Sequence, residues 1–324
     1  MCPPPTSRTV LPPRWATPAG RAHTPVSAGG GEGQHVAADD AQESPRPRVS
    51  ALWVYPLKSA AGIAVDTLAL DQLGASGDRR WMLVDAQGEA VTARTHPPLV
   101  RIQPAFASAD RDGALVLAAP EQAPLRVPVP AGDGPREARV WDDAVPVHDA
   151  GEEAAAWCSA AVGAPVRLVR LAEVAERPLR AKYAGPVAWE GRRVALSDGA
   201  PLLLLGEASV AALQARLAAA GRPVAEGQPR RFRANIVVAG TVPHEEDAWR
   251  EVAVGPVRLG VGTACPRCVL TTVDPDSAAT GVEPMRTLAG YRSREGKVLF
   301  GMNATHAAPG AIRLGDVVRV VERA

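Results

Sequence analysis

The sequence predicts a mainly β protein with a few helices, arranged as two β-barrel-like domains. Short apolar runs recur roughly every 10 residues between positions 50 and 141, separated by Gly, Asp or Pro, and this spacing is typical of an all-β sandwich or barrel. A second series of such runs starts near residue 235. The chain has 324 residues, of which 46% are hydrophobic, so it can fill two cores.

Residues 1–48 are rich in Pro, Gly, Ala, Ser and Arg and show no hydrophobic period, which predicts a disordered leader. Because acidic residues are absent before Glu32, a basic transit peptide is the alternative interpretation. The leader lacks the apolar centre of a secretory signal, and the chain has no run of 18 apolar residues. With only four cysteines in the whole chain, we expect a reducing, cytoplasmic location and no transmembrane segment.

The first predicted domain covers residues 49–175 and consists of short strands with one helix. The helix spans residues 152–162, because Glu152 and Glu153 lie in its first turn and Gly163 follows its end. The predicted strands are 50–57, 80–84, 90–93, 99–102, 114–117, 125–129, 138–141 and 166–171.

The second predicted domain covers residues 176–324. An amphipathic helix is predicted over 207–220, since Val210, Leu213 and Leu217 recur at helical spacing, and a short helix is predicted over 283–291. The predicted strands are 201–205 (a short buried strand or a turn), 235–238, 249–254, 257–261, 269–273, 297–300 and 317–321.

The charge of the chain argues against a nucleic-acid partner. There are 36 basic and 35 acidic residues, mixed along the sequence, and the formal net charge is +1. A surface that binds polyanions needs an excess of clustered basic residues.

Cys265 and Cys268 lie three positions apart and are the strongest chemical signal in the sequence. Half of a zinc site is one interpretation, but the second ligand pair is missing. A thioredoxin-like redox pair needs a helix N-terminus, whereas the β-branched residues 269–273 favour a strand. Two buried structural thiols are a third interpretation. The fourth is a single thiolate ligand to a metal that an organic chelator holds.

Several segments together resemble the MOSC family, the molybdenum-cofactor sulfurase C-terminal domain, and in particular its two-domain branch of amidoxime-reducing proteins. The resemblance covers about residues 49–322. The segments that carry it are 55–59 (YPLKS), 78–84 (DRRWMLV), 92–94 (TAR), 231–236 (RFRANI), 265–275 (CPRCVLTTVDP), 300–303 (FGMN) and the closing Gly315, Asp316 and Val318. The resemblance implies an N-terminal β-barrel domain packed on a MOSC β-barrel domain.

The resemblance also implies a set of site residues. Cys268 would coordinate molybdenum. Independently of the resemblance, Asp274 is the nearest acid in sequence after Cys268, which makes it a candidate proton donor or a residue that contacts the ligating side chains. The predicted cofactor-binding residues, around the pterin and its phosphate, are Lys58, Ser59, Arg79, Ser209, Arg233, Asn235, Arg267 and Asn303. Arginine forks and a lysine suit a phosphate dianion, although Ser209 also suits a helix start. Ala200 stands where the family often has a small hydroxyl residue.

The activity that the resemblance implies is the reduction of small N-hydroxylated compounds such as amidoximes, hydroxylamines and N-hydroxylated bases. The cofactor would be the molybdenum cofactor. The chain has no set of four cluster cysteines at its C-terminal end, so we expect no iron–sulfur cluster and a separate electron donor, of the ferredoxin, flavoprotein or cytochrome type. The alternative is a molybdenum-cofactor or sulfur carrier without its own turnover.

Overall fold

The structure is a computed structural model that describes residues 46–108, 111, 113–130, 134–185, 187 and 193–324. The predicted leader therefore lies outside the described residues, except for its last three positions.

The first half of the chain is made of short strands with one α-helix, as predicted. Helix α1 is Glu152–Val162, and Gly163 ends it in a left-handed conformation with φ 74°. The strands are β1 (Arg48–Val54), β2 (Ile63–Ala64), β3 (Thr67–Asp71), β4 (Gly74–Ala75), β5 (Trp81–Val84), β6 (Ala90–Val91), β7 (Gln103–Phe106), β8 (Leu115–Ala119), β9 (Gln122–Val127), β10 (Arg136–Val140), β11 (Asp143–Asp149) and β12 (Arg167–Leu171).

The second half has longer strands and two α-helices, α2 (Glu207–Ala219) and α3 (Met285–Arg292). Its strands are β13 (Leu202–Gly206), β14 (Ile236–Ala239), β15 (Trp249–Val254), β16 (Val257–Pro266), β17 (Ser293–Arg294), β18 (Lys297–His306), β19 (Gly310–Arg313) and β20 (Val318–Arg323). Short 3-10 helices occur at Pro97–Arg101, Ala181–Tyr183, Val224–Gly227, Pro229–Phe232, Glu245–Ala248 and Val269–Thr272.

One large sheet joins the two halves of the chain. Its order is β2-β1-β14-β13-β18-β16-β15-β20, with β17 paired to β18. Strand β1 pairs antiparallel with β14, Leu52 opposite Ile236. In a separate three-stranded sheet of the order β19-β3-β4, β3 pairs antiparallel with β19. The first strands of the chain therefore complete the barrel that the second half builds.

Two further sheets belong to the first half, in the orders β10-β11-β12-β5-β6 and β7-β8-β9. Their core includes Trp81, Leu115 and Cys158, all nearly or fully buried. Burial raises the pKa of the Cys158 thiol to about 12, so this cysteine is the small buried hydrophobe that its Ala-rich helix predicts.

The prediction of a strand over residues 99–102 is wrong. The chain forms the 3-10 helix Pro97–Arg101 there, because Pro97 and Pro98 fix φ and remove two backbone donors that a strand would need. Strand β7 begins directly after this helix, at Gln103.

The prediction of a strand over residues 269–273 is also wrong, because the chain forms the 3-10 helix Val269–Thr272. The Thr271 hydroxyl donates to the Cys268 carbonyl at 3.0 Å, and the Thr272 hydroxyl donates to the Val269 carbonyl at 2.8 Å. Such local bonds offer the backbone an alternative to a sheet ladder. The chain consequently turns sharply just after Cys268.

The helices predicted over 152–162, 207–220 and 283–291 are confirmed to within two residues at each end. In the part of the chain that the structure describes, none of the helices is long and apolar enough to cross a bilayer.

Candidate functional site

A cavity opens between the segments that follow β1 and β16. Cys265, Pro266, Arg267 and Cys268 come directly from the end of β16. The other lining side chains include Lys58, Ser59, Arg79, Arg94, Asp198, Arg231, Arg233, Asn235 and Asn303. Both sequence halves therefore supply walls of the cavity.

Three of the lining residues have left-handed backbone angles, which are uncommon for residues other than glycine. They are Ser59 with φ 68°, Arg79 with φ 48° and Arg233 with φ 56°. Such conformations persist where the surrounding structure fixes them, and they concentrate at functional sites.

Tyr55 holds two of these arginines close together. The guanidinium carbons of Arg79 and Arg233 lie 4.4 and 4.3 Å from the centre of its ring, within the range of cation–π attraction. Burial raises the pKa of Tyr55 to about 12, so the ring stays neutral. The loop packs tightly here: a Cβ at Gly62 would lie 2.4 Å from the Tyr55 ring.

Asn235 and Asp78 orient Arg79. Asn235 is 1% exposed, its Nδ2 donates to Asp78 Oδ1 at 3.2 Å, and its Oδ1 accepts from Arg79 Nη1 at 3.3 Å. The same oxygen accepts the Leu203 backbone N–H at 3.1 Å. Because these bonds occupy its amide, Asn235 holds the Arg79 guanidinium in position.

Two buried guanidinium nitrogens in the lining have no hydrogen-bond partner among the described residues. They are Nη2 of Arg233 and Nη2 of Arg267. Burial and the neighbouring Arg79 lower the pKa of Arg233 to about 10. Buried donors without partners are rare and costly, so this wall of the cavity fits an anionic ligand.

Lys58, Asp198 and Arg94 form a cluster of charged side chains in the lining of the cavity. Lys58 Nζ donates to the Leu196 carbonyl at 2.7 Å and pairs with Asp198, while Arg94 pairs with the other oxygen of Asp198. Burial opposes ionisation of Asp198, but Lys58 and Arg94 outweigh it and hold the pKa of the carboxyl well below its usual range. Burial lowers the pKa of Lys58 despite the carboxylate beside it.

Arg94 also contacts the second cysteine of the pair, because its Nε donates to Cys268 Sγ at 3.2 Å. The two cysteines are therefore not equivalent. Burial raises the pKa of the Cys265 thiol, which favours its protonated form. The Cys268 sulfur instead accepts a hydrogen bond from the Arg94 guanidinium.

Trp141 contacts Arg94 and Asp198 from the solvent side. Its ring lies 4.7 Å from the Arg94 guanidinium carbon, and its Nε1 donates to Asp198 Oδ1 at 3.2 Å. Trp141 is 51% exposed and sits in the turn between β10 and β11, with φ 60°. A hairpin of the first half thus reaches over to the cavity.

The structure brings most of the predicted site residues to this one cavity. The lining contains Lys58, Ser59, Arg79, Arg233, Asn235, Arg267, Cys268 and Asn303. Asn303 is held there by a 3.0 Å bond from its Nδ2 to the Thr263 carbonyl.

Ser209 and Asp274 are not among the residues that line this cavity. Ser209 is fully buried in α2, where its hydroxyl donates to Glu246 at 2.8 Å and accepts the His244 backbone N–H at 2.8 Å. Asp274 accepts from Arg231 Nη2 at 2.8 Å and from the Ser277 backbone and hydroxyl. Burial opposes its ionisation, but these donors lower the pKa of the carboxyl.

Sequence reasoning missed three residues of the site: Arg94, Asp198 and Trp141. Signals for two of them existed, because Arg94 ends the segment TAR and Asp198 stands two positions before the atypical Ala200. Trp141 had no such signal, since only the fold brings its hairpin to the cavity.

The donor set suits a ligand that combines an anionic group with a soft metal. The guanidinium and ammonium groups suit phosphate oxygens, and the Cys268 sulfur suits a soft or redox metal. Within the described residues, no group of three or more His, Cys, Asp or Glu side chains is arranged to hold a metal ion.

Two family models match the chain. The MOSC N-terminal beta barrel domain matches residues 46–165, and the MOSC domain matches residues 191–319.

Several proteins are similar in sequence to this chain over most of its length. Mitochondrial amidoxime-reducing component 1 of Mus musculus is 36% identical over 286 residues, which are 83% of this chain and 81% of that protein. The Homo sapiens protein of the same name is 36% identical over 289 residues, covering 83% and 82%. The molybdenum cofactor sulfurase of Anopheles gambiae is 32% identical over 83% of this chain but only 35% of that longer protein.

Proposed function

This chain belongs to the two-domain MOSC family that includes the amidoxime-reducing components, and we propose that it is a molybdenum-cofactor-dependent reductase of N-hydroxylated compounds. The substrates are small molecules such as amidoximes, hydroxylamines and N-hydroxylated bases. The observation that carries the proposal is the cavity, where the Cys268 sulfur lines the same space as Arg233 and Arg267, each of which has one buried guanidinium nitrogen without a hydrogen-bond partner among the described residues.

The residues of the cavity divide the binding of the cofactor between them. Cys268 would supply a thiolate ligand to molybdenum. Arg79 and Arg233 would hold the phosphate, with Lys58 and Ser59 beside them, while Arg267 and Asn303 would lie near the pterin. Once bound, the cofactor supplies the two-electron redox centre that the protein side chains lack.

The reaction breaks the N–O bond of the substrate and consumes two electrons and two protons. An N–H bond forms on the substrate, and the oxygen leaves as water. Asp198 and Asp274 have lowered pKa values, so at neutral pH neither carries a proton to donate. We assign both as positioning residues, Asp198 for Lys58 and Arg94, and Asp274 for Arg231.

Arg94 is the residue that directs the thiolate. Its Nε–H points at Cys268 Sγ, and Asp198 and the Trp141 ring fix its other end. A donor to the sulfur reduces the negative charge that the thiolate presents to a metal, and it limits rotation of the side chain.

In this proposal the electrons come from a separate protein of the ferredoxin, flavoprotein or cytochrome type, and we expect no iron–sulfur cluster on the chain itself. The cytoplasmic location that the sequence predicts remains part of this proposal and is checked by cell fractionation.

The test is molybdenum and released pterin per chain, together with benzamidoxime turnover by reduced methyl viologen. We expect near-stoichiometric molybdenum and turnover in the wild type, loss of both in Cys268→Ser, and retention in the matched control Cys265→Ser. Cofactor binding without turnover in the wild type would instead support the carrier function. Equal loss from both variants would return the pair to a dithiol or zinc site.

A further inference from the structure

A second and wider groove adjoins the cavity at Pro266, which lines both. Thr263 and Ala264 of β16 continue along its wall. Its floor includes Trp249 and Met302, which are 0% and 4% exposed. The groove thus starts two residues from Cys268, a span of about 7 Å of chain at most.

Four exposed cations surround this groove: Lys182, Arg250, Arg294 and Lys297. They come from four separate elements, the 3-10 helix Ala181–Tyr183, β15, β17 and β18. None of the four forms an ion pair with a described residue.

The acidic residues of the groove do not balance these cations. Asp247 pairs with Arg292 at 2.6 Å, so Glu295 is left as the one acid that faces the four cations among the described lining residues. An uncompensated charge of one sign in a groove attracts a partner of the opposite sign from a distance.

Two of the cations are placed where they weaken the fold. Arg294 lies directly opposite Lys297 in the β17–β18 hairpin, and like charges in that position destabilise a strand pair. The repulsion between Arg294 and Lys297 is better explained by a role in binding than by a role in stability. A third cation, Lys182, is held at its backbone, because its carbonyl accepts the Thr263 hydroxyl of β16 at 3.0 Å.

Two of the three lysines of the chain line the groove. The chain has three lysines among its 36 basic residues. Lys58 lines the cavity, and the other two, Lys182 and Lys297, line the groove. A lysine keeps a hydrated charge on a flexible stem, which suits contacts that form and break repeatedly.

We propose that this groove is the docking surface for an acidic electron-transfer protein, the donor that the proposed function requires and on which this inference rests. Each reduced donor that docks is oxidised by one electron, so two docking events supply the electrons for one N–O cleavage. Complementary charge raises the rate of encounter and fixes the orientation of such a complex.

The exposure of the four cations favours a protein over a small anion as the occupant. A site for a small anion has buried donors, such as the unpartnered Nη2 atoms of Arg233 and Arg267 in the cavity. Around the groove the charges are spread along exposed edges, and a protein surface can contact them all while remaining partly hydrated.

A carbodiimide cross-linking experiment on the holoprotein tests the position of the surface. The probes are three acidic donors, a plant-type ferredoxin, a flavodoxin and a cytochrome b5, whose activated carboxylates couple to lysine amines. Lys58 is 4% exposed, so we expect the lysine cross-links at Lys182 and Lys297. The Lys182→Arg/Lys297→Arg variant should keep the affinity and lose these cross-links.

Charge reversal tests the contribution of the groove to affinity. We expect Arg294→Glu/Lys297→Glu to raise the donor Kd at least about tenfold and to remove most of its dependence on ionic strength around 0.1 M, where charges are screened beyond about 10 Å. The matched control is Arg126→Glu/Arg319→Glu, two exposed arginines that do not line the groove. Turnover with reduced methyl viologen should stay unchanged in both.

Unchanged affinity in the groove variant, equal loss in the control, or no binding of any of the three donors would overturn the inference. Because binding and cross-linking need no turnover, a wild type that binds the donor through the groove but reduces no benzamidoxime would contradict the proposed function alone.

Discussion

Ser59, Arg79 and Arg233 show how individual residues are held for binding at a cost to the fold. Each has a left-handed backbone, and Arg233 is a buried cation beside another cation. Removing a buried charge that lacks a counter-charge often leaves stability unchanged or improves it. These residues therefore contribute to the site more than to the stability of the protein without its cofactor.

We predict that a phosphate monoester stabilises the cofactor-free protein through Arg233. At a hundred times its Kd the monoester should add about 2.7 kcal/mol to the free energy of unfolding. Arg233→Met should abolish this gain without lowering the stability of the free protein. Arg230→Met is the control, because Arg230 pairs with Asp276 at 2.7 Å. Thermal unfolding with and without the monoester measures both, and an equal gain in the wild type and Arg233→Met would contradict the assignment.

The pH dependence of that gain follows from two ionisations. The monoester becomes a dianion as pH rises through about 6, so stabilisation should increase there. The pKa of Arg233 is lowered to about 10 by burial and by Arg79, so its charge, and with it the stabilisation, is lost as pH rises through that value. A gain that is flat from pH 5 to 11 would exclude a charged Arg233 as the partner.

Among individual residues of the site, the sequence predicts those that belong to contiguous motifs. It misses those that come together only through the fold. Lys58, Arg79 and Cys268 are inside such motifs and line the cavity. Arg94 and Trp141 meet at 4.7 Å although 47 positions separate them. No local pattern in the sequence predicts that approach.

The 3-10 helix Val269–Thr272 shows how one short element positions the metal ligand. Propensity predicts a strand here, because Val and Thr are β-branched. The two threonine hydroxyls override it by bonding to the carbonyls of Cys268 and Val269. By contrast α1, α2 and α3 were predictable, since their apolar spacing and end signals agree with their packing.

We predict that Thr272→Val weakens this turn by about 1 kcal/mol, the usual net value of one hydrogen bond. Valine has nearly the same shape but lacks the donor, so the carbonyl of Val269 loses the hydroxyl that bonds to it. Chemical denaturation measures the change, and molybdenum per chain should fall as Cys268 loses its orientation. Thr280→Val, at an exposed position, is the control. A Thr272→Val protein with wild-type stability and molybdenum content would show that the hydroxyl does not set the turn.

On the scale of the whole molecule, the two halves of the sequence share two sheets. Strand β1 pairs with β14 in the large sheet, and β3 pairs with β19 in a separate three-stranded sheet. Leu52, Val54 and Leu68 of the first half lie in the same core as Ile236 and Leu259 of the second. Strand periodicity predicts the number and type of most strands, but pairings between distant segments are outside its reach.

We predict that residues 176–324 do not fold alone, because β14 and β19 would each expose an unpaired edge and the core would lack its first-half side chains. Far-UV circular dichroism of the fragment should show no cooperative unfolding. Co-expression with residues 46–175 should restore a complex with a single transition, as in the full chain. A cooperative transition of the isolated fragment would contradict this.

The pairing of β1 with β14 also determines when the barrel can fold during translation. Leu52 leaves the exit tunnel long before its partner Ile236 is made, and about 180 residues of synthesis take roughly 10–40 s at typical elongation rates. During that interval β1 is an apolar strand with one edge unpaired, because only β2 on its other side has been made. Folding of the barrel must therefore wait until late in translation, and nascent chains that stall before β14 are the ones that chaperones should hold.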